Sequence, residues 1–210
     1  MVGRTLALAL AVALALPAPG HAATPATPGK DRTESFIASL KKVKKDDGKL
    51  TEADKAANAR MFGELDGYLD FETLTVKPIA PRADKLNAEQ MASFRSKFKE
   101  LIRLIAFPNA GNFFRKATYA LRPEEQKGEL LFVPVQVKLP EEDMETEVQF
   151  QWAKVSGSLK IVDVLFEGDS LVKDYQNQLA KIVDKNGVTG LFKALDDRLA
   201  ELAKGPKAKK

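Results

Sequence analysis

The chain has 210 residues, with Lys+Arg 33 against Asp+Glu 29, a formal net charge of +4 and no cysteine. Charge this evenly interspersed reads as ordinary solvated surface and argues against a nucleic-acid partner, while the missing cysteine excludes disulfides and thiol chemistry. The single histidine, His21, lies in the amino-terminal segment. The rest of the chain therefore lacks the side chains on which Ser-His-Asp and Cys-His nucleophiles and most zinc sites depend.

Residues 1–22 have the layout of a secretory signal peptide: Arg4 supplies a positive start, Leu6 to Leu16 are apolar, and Pro17 to Ala22 end in small residues suited to cleavage. That apolar stretch falls short of the roughly 20 residues that cross a bilayer. A periplasmic protein is expected, untethered by an acylated cysteine. Residues 23–32 read as a flexible leader because Pro25, Pro28 and Gly29 break regular structure, so one domain is expected over 33–203.

Phe36, Ile37, Leu40 and Val43 recur at helical spacing. Thr51 and Asp54 form a helix-start box for a second helix running toward Leu65, closed by Asp66-Gly67. Asp70 caps a short third helix that turns Phe71 and Leu74 inward before Pro78 and Pro81. Asn87 with Gln90 starts the clearest helix, which places Met91, Phe94, Phe98, Leu101, Ile102 and Ile105 on one face and is expected to stop at Pro108. The period then changes to two. Strands are expected at Lys116 to Leu121, through Val133, Val135 and Val137, and through Val148, Phe150 and Trp152. A fourth, Leu159 to Phe166, is apolar on both faces and is expected to be central. Gly168-Asp-Ser leads into a helix carrying Leu171, Tyr175, Leu179 and Ile182; Asn186-Gly187 closes it, and a last helix carries Leu191, Phe192, Leu195, Leu199 and Leu202. The class is α+β, a four-stranded antiparallel sheet packed against several helices. Residues 204–210 form a basic tail, read as a frayed solubilising end.

The acidic clusters offer no pattern for catalysis. Asp46 to Asp54 resembles a calcium loop, but aligning Gly48 with the required glycine puts Val43 and Lys45 at the first and third ligand positions. Glu124-Glu125 and Glu141 to Asp143 sit beside prolines, where solvated turns place such residues. No catalytic residue, metal ligand or cofactor site is assigned.

A more specific signal lies in Phe150-Gln-Trp152, then Val162-Asp-Val-Leu-Phe-Glu-Gly-Asp-Ser-Leu-Val172, Tyr175, and Asn186-Gly-Val-Thr-Gly-Leu191 with Leu195. In order and spacing this resembles the MlaC family, also called the toluene-tolerance or auxiliary transport family. Tyr68-Leu-Asp-Phe71 and Asn87 to Phe94 extend the resemblance to about Leu65 to Leu195. The chain departs from the family pattern at Pro78-Ile-Ala-Pro-Arg82, where a leucine-glycine and an aromatic are usual, and at Gln176, where arginine is common. No headgroup role is assigned to Gln176.

The resemblance implies a periplasmic, monomeric, non-catalytic carrier of phospholipid. Its partners would be an inner-membrane ABC transporter with its lipid-binding subunit and an outer-membrane lipoprotein complex. A carrier of another lipid, such as a hopanoid, and a ligand-free envelope adaptor are the alternatives. Acyl chains would lie in an apolar cavity between sheet and helices, and face and position nominate Phe98, Leu101, Ile105, Val135, Val148, Phe150, Val164, Phe166, Leu171 and Leu179 as its lining. Trp152 reads as structural, and Glu167, Gly168 and Ser170 as a turn and helix cap.

Overall fold

The computed structural model describes residues 28–204; the expected signal peptide, most of the leader and nearly all of the basic tail lie outside them. Helix α1 spans Pro28–Lys42 and so begins five residues before Thr33. Pro28 at its first position explains the early start, since a first-turn proline needs no amide hydrogen bond. Glu124 then accepts from the Lys30 amide at 2.8 Å. Helix α2, Glu52–Asp66, has the expected reciprocal box between Thr51 and Asp54, and α3, Phe71–Ile79, is capped by Asp70. Pro78 is accommodated in its last turn, and Pro81 opens a 3₁₀ turn, Ala80–Lys85.

The largest departure concerns the helix that starts at Asn87. It does not end at Pro108: α4, Ala88–Leu101, passes through a π-helical turn, Ile102–Ala106, into α5, Phe107–Lys116. The Phe107 amide reaches back to the Ile102 carbonyl, and Pro108, which has no amide to donate, is accommodated directly after this widened turn.

The sheet has six strands rather than four, because two very short ones join the four expected. The strands are β1 Thr118–Leu121, β2 Glu125–Lys127, β3 Leu130–Leu139, β4 Met144–Val155, β5 Ser158–Phe166 and β6 Asp169–Ser170. All pairings are antiparallel, in the order β1-β3-β4-β5-β6, with β2 also on β3. Thus β4 is central and β5 lies one place from the edge. Its outer edge is paired by β6 and by a further segment. The segment Tyr68 to Asp70 lies along the outer edge, with the Ile161 amide donating to Tyr68 at 2.8 Å and the Asp70 amide to the Ile161 carbonyl at 2.9 Å. Ser156-Gly157 and Glu167-Gly168 have positive φ at both positions and make tight two-residue hairpins.

Alternation puts Leu131, Val133, Val135, Val137 and Leu139 of β3 inward with Val148, Phe150 and Trp152 of β4. All but Leu139 meet α1 and α5 in the main core, where the Trp152 indole donates to Thr33 Oγ1 at 3.0 Å. Helix α6, Leu171–Ala203, is capped by Ser170 and broken at Gly187, whose φ of 68° and ψ of −178° are not helical. It joins α3 and α4 in a second core of Ile79, Phe94, Phe98, Leu179, Val183, Leu191 and Leu195. Among the described residues no helix is long and apolar enough to cross a membrane.

Candidate functional site

Between the two cores lies an apolar cavity of about 370 Å³, within the span of roughly 300–1,000 Å³ usual for small-molecule sites. One wall is the inner face of β4 and β5, through Val148, Phe150, Ile161 and Val164. The opposite wall is the α4, π-turn and α5 helix, which contributes Phe98, Ile102, Ala106, Ala110, Phe113 and Phe114. Helix α1 closes one end with Phe36 and Leu40, and Leu69, Leu74, Val172 and Tyr175 complete the enclosure. Aromatic edges brace it: Phe36 meets Phe150 edge-on at 5.7 Å, and Phe98 meets Tyr175 at 5.3 Å.

The mouth is marked by exposed apolar groups. Phe166, Leu171 and Tyr175 are 40%, 41% and 37% exposed and all border the cavity. Large apolar side chains held open to water at the rim of an apolar hollow mark a binding site more than a defect of packing. Desolvation raises the Tyr175 phenol pKa above its ordinary value, so it stays protonated at neutral pH.

One charged residue, Asp163, borders the cavity, and hydrogen bonds hold its carboxylate. Oδ1 accepts from the Val164 amide at 2.8 Å and the Val172 amide at 3.2 Å, and Oδ2 from the Ser170 hydroxyl at 2.5 Å. Asp163 thereby ties β5 to the start of α6, where a carboxylate is also favoured by the helix dipole. Among the described residues no cluster of three metal-ligating side chains occurs. A second charged network stands behind the helical wall. Burial pushes the Asp66 pKa up, but hydrogen bonds and charge from Arg103 and Lys99 outweigh it and hold the carboxyl below its ordinary value.

Of the ten lining residues expected from sequence, Phe98, Val148, Phe150, Val164, Phe166 and Leu171 border this cavity. The other four lie elsewhere. Val135 is fully buried in the main core on β3, one strand away from the cavity wall. Leu179 and Leu101 belong to the second core. Ile105 borders a separate, larger cleft of about 730 Å³ with Lys44, Lys45, Arg198 and Glu201. The π turn explains this, because its extra residue per turn rotates Ile105 off the face of Phe98 and brings Ala106 there instead. That larger cleft is bordered by charged groups, and it lacks the continuous apolar wall of the smaller one.

The cavity residues that sequence reasoning missed are chiefly Phe113, Phe114, Ala106 and Ala110. The spacing of Ile102, Ala106, Ala110 and Phe113 was a usable signal, but ending the helix at Pro108 hid it. Phe36 and Leu40 are core residues whose other edges reach the cavity, and periodicity does not separate those two roles.

A twisted antiparallel sheet and a bent helical layer with an open apolar hollow between them define a binding fold built around a hydrophobic container. Residues 34–197 match the family model described as MlaC protein, and the chain belongs to that family. The fold is also that of a phospholipid-binding protein from Ralstonia solanacearum, solved in complex with a phospholipid. That protein has 21% sequence identity and a TM-score of 0.62, covering 84% of this chain and 97% of that one.

Proposed function

We propose that this protein is a non-catalytic lipid carrier that shelters the acyl chains of a phospholipid in the apolar cavity. The observation that carries the reading is the cavity itself: its walls are apolar apart from Asn109 and the hydrogen-bonded Asp163, and its mouth presents Phe166, Leu171 and Tyr175. A headgroup at that rim would stay in water while its tails enter. The phospholipid held by the structurally similar Ralstonia solanacearum protein supports the same assignment.

The energetics favour a carrier over free diffusion. At about 0.8 kcal/mol per buried methylene, two acyl chains exposed to water cost tens of kcal/mol. Moving them from bilayer to cavity exchanges one apolar surrounding for another, so the step is nearly neutral and reversible, and partners set its direction. The carrier works in the periplasm, between an outer membrane with its lipoprotein complex and an inner-membrane ABC transporter.

Protein purified without denaturant is expected to retain lipid, detected by native mass spectrometry and identified after organic extraction. Stoichiometric phospholipid is the expected result. A hopanoid in the extract would change the cargo, and folded protein with no stoichiometric lipid would overturn the carrier reading in favour of an adaptor.

A further inference from the structure

We infer that the positively charged end formed by the α1–α2 connection and the outer side of α5 is a docking surface for membranes rich in anionic lipid. Lys41, Lys42, Lys44, Lys45, Lys49 and Arg115 surround a shallow cleft there, and Asp47 and Asp54 are the two carboxylates on its border. Those carboxylates are already engaged. Asp54 holds Lys44 at 2.5 Å, and Asp47 lies 4.0 Å from Lys49. Lys41, Lys42, Lys45 and Arg115 have no carboxylate within ion-pair distance among the described residues. Lys41, Lys42 and Lys45 are exposed, and Arg115 is exposed as a residue while its guanidinium turns onto the main chain.

Arg115 also organises the site. Its guanidinium donates to the Lys41 carbonyl at 2.9 Å and the Val43 carbonyl at 2.5 Å, fixing the end of α1 against α5. Lys41 sits over the Tyr119 ring at 5.7 Å. Lysines clustered at a helix end are expected on dipole grounds, yet that accounts for Lys41 and Lys42 only, not for Lys45 and Lys49 beyond the helix.

The character of the surface selects a membrane over a protein partner. Leu50 is the single apolar residue on the cleft border, whereas protein interfaces centre on buried aromatic or aliphatic anchors and are depleted in lysine. Exposed lysines on flexible stems suit a field of phosphates that is itself laterally mobile. The position fits as well. On α5, Asn112 and Arg115 border the basic cleft while Asn109, Ala110 and Phe113 border the apolar cavity, so the two sites are separated by one helix, about 10 Å across. A bilayer held at the basic end is therefore close to the container. The inference builds on the carrier reading, in which cargo is drawn from one membrane and delivered toward another.

Vesicle flotation tests it, using vesicles of phosphatidylcholine with or without phosphatidylglycerol and protein expressed from the full sequence. The wild type is expected to float with anionic vesicles and not with neutral ones, and to detach near 1 M salt, where screening shortens to about 3 Å. Each lysine removed near the surface is expected to weaken binding about five-fold, so Lys42→Ala with Lys45→Ala loses about twenty-five-fold. Both side chains are exposed, and an unchanged thermal midpoint checks the fold. Equal binding to both vesicle types, no binding by the wild type, or wild-type binding by the double variant each overturns the inference. Loss of lipid transfer in cells with vesicle binding intact would place an acidic protein there instead and overturn it too. Lipid content of the same samples separates the two readings: vesicle binding by protein devoid of cargo sinks the carrier and leaves the docking surface standing.

Discussion

Val164→Phe separates a container from a packed core. Val164 lies on β5 opposite Phe150 and borders the cavity of about 370 Å³. The substitution adds four carbon atoms. If they enter apolar space open to them, at about 0.8 kcal/mol per carbon, the cargo-free protein gains up to about 3 kcal/mol. At roughly 2–4 °C per kcal/mol for a domain of this size, the midpoint rises by about 6–12 °C at most. In a filled core the same atoms force strain that costs typically 1–3 kcal/mol, so the two cases differ in sign. The assay is thermal unfolding of delipidated protein alongside lipid occupancy by mass spectrometry. A raised midpoint with reduced occupancy is expected; a lowered midpoint with lipid fully retained would refute the placement of acyl chains against β5.

Other substitutions probe the frame that shapes the cavity. A Cβ on Gly111 would overlap the Leu40 carbonyl oxygen, and because that neighbour is backbone, Gly111→Ala must push α1 from α5 and is expected to destabilise by about 3 kcal/mol in a denaturant titration. Thr33→Val strands the buried Trp152 indole donor and is expected to cost about 1–3 kcal/mol, read as a shift in the denaturation midpoint. Asp66 titrates below its ordinary value when folded, so its contribution is complete above the unfolded value near 3.9 and is lost as pH falls through the folded one. Asp66→Asn should therefore be less stable than wild type at pH 7 and converge with it in acid, as followed by unfolding curves across pH.

Local rules identified much of this fold because they depend on near neighbours. The boxes at Thr51/Asp54 and Asn87/Gln90, the caps at Asp70 and Ser170 and the break at Gly187 all follow from residues within a turn of one another. Alternation likewise found the inward faces of β3 and β4. Pro108 misled because a proline is compatible with the first turn of a helix as well as with the end of one, and only the π turn before it decides between them. Strand order was misjudged for a related reason: two apolar faces on β5 suggest a central strand, but sequence does not say that its outer edge is paired only by Tyr68 to Asp70 and the two-residue β6. The cavity was half legible. Which inward residues border a hollow depends on how far the helical layer stands from the sheet, a distance set by contacts such as Gly111 on Leu40 and Asp163 on the start of α6.

The same spacing has an energetic consequence. A sealed apolar void weakens a fold by about 24 cal/mol per Å³, so a dry, closed space of about 370 Å³ would cost about 9 kcal/mol, comparable with the whole stability of an ordinary domain, about 5–15 kcal/mol. That figure is an upper bound here, since the mouth at Phe166, Leu171 and Tyr175 admits water. It still means that the fold tolerates separated layers only because other contacts hold them apart. Acyl groups entering the space would restore the missing contacts, so cargo would act as part of the core and raise stability by mass action. The thermal midpoint of lipid-loaded protein should accordingly exceed that of delipidated protein by several degrees, and Val164→Phe should narrow the gap from the delipidated side. A midpoint indifferent to delipidation would mean that the layers pack equally well without a ligand, and the cavity would then have no claim to be a container.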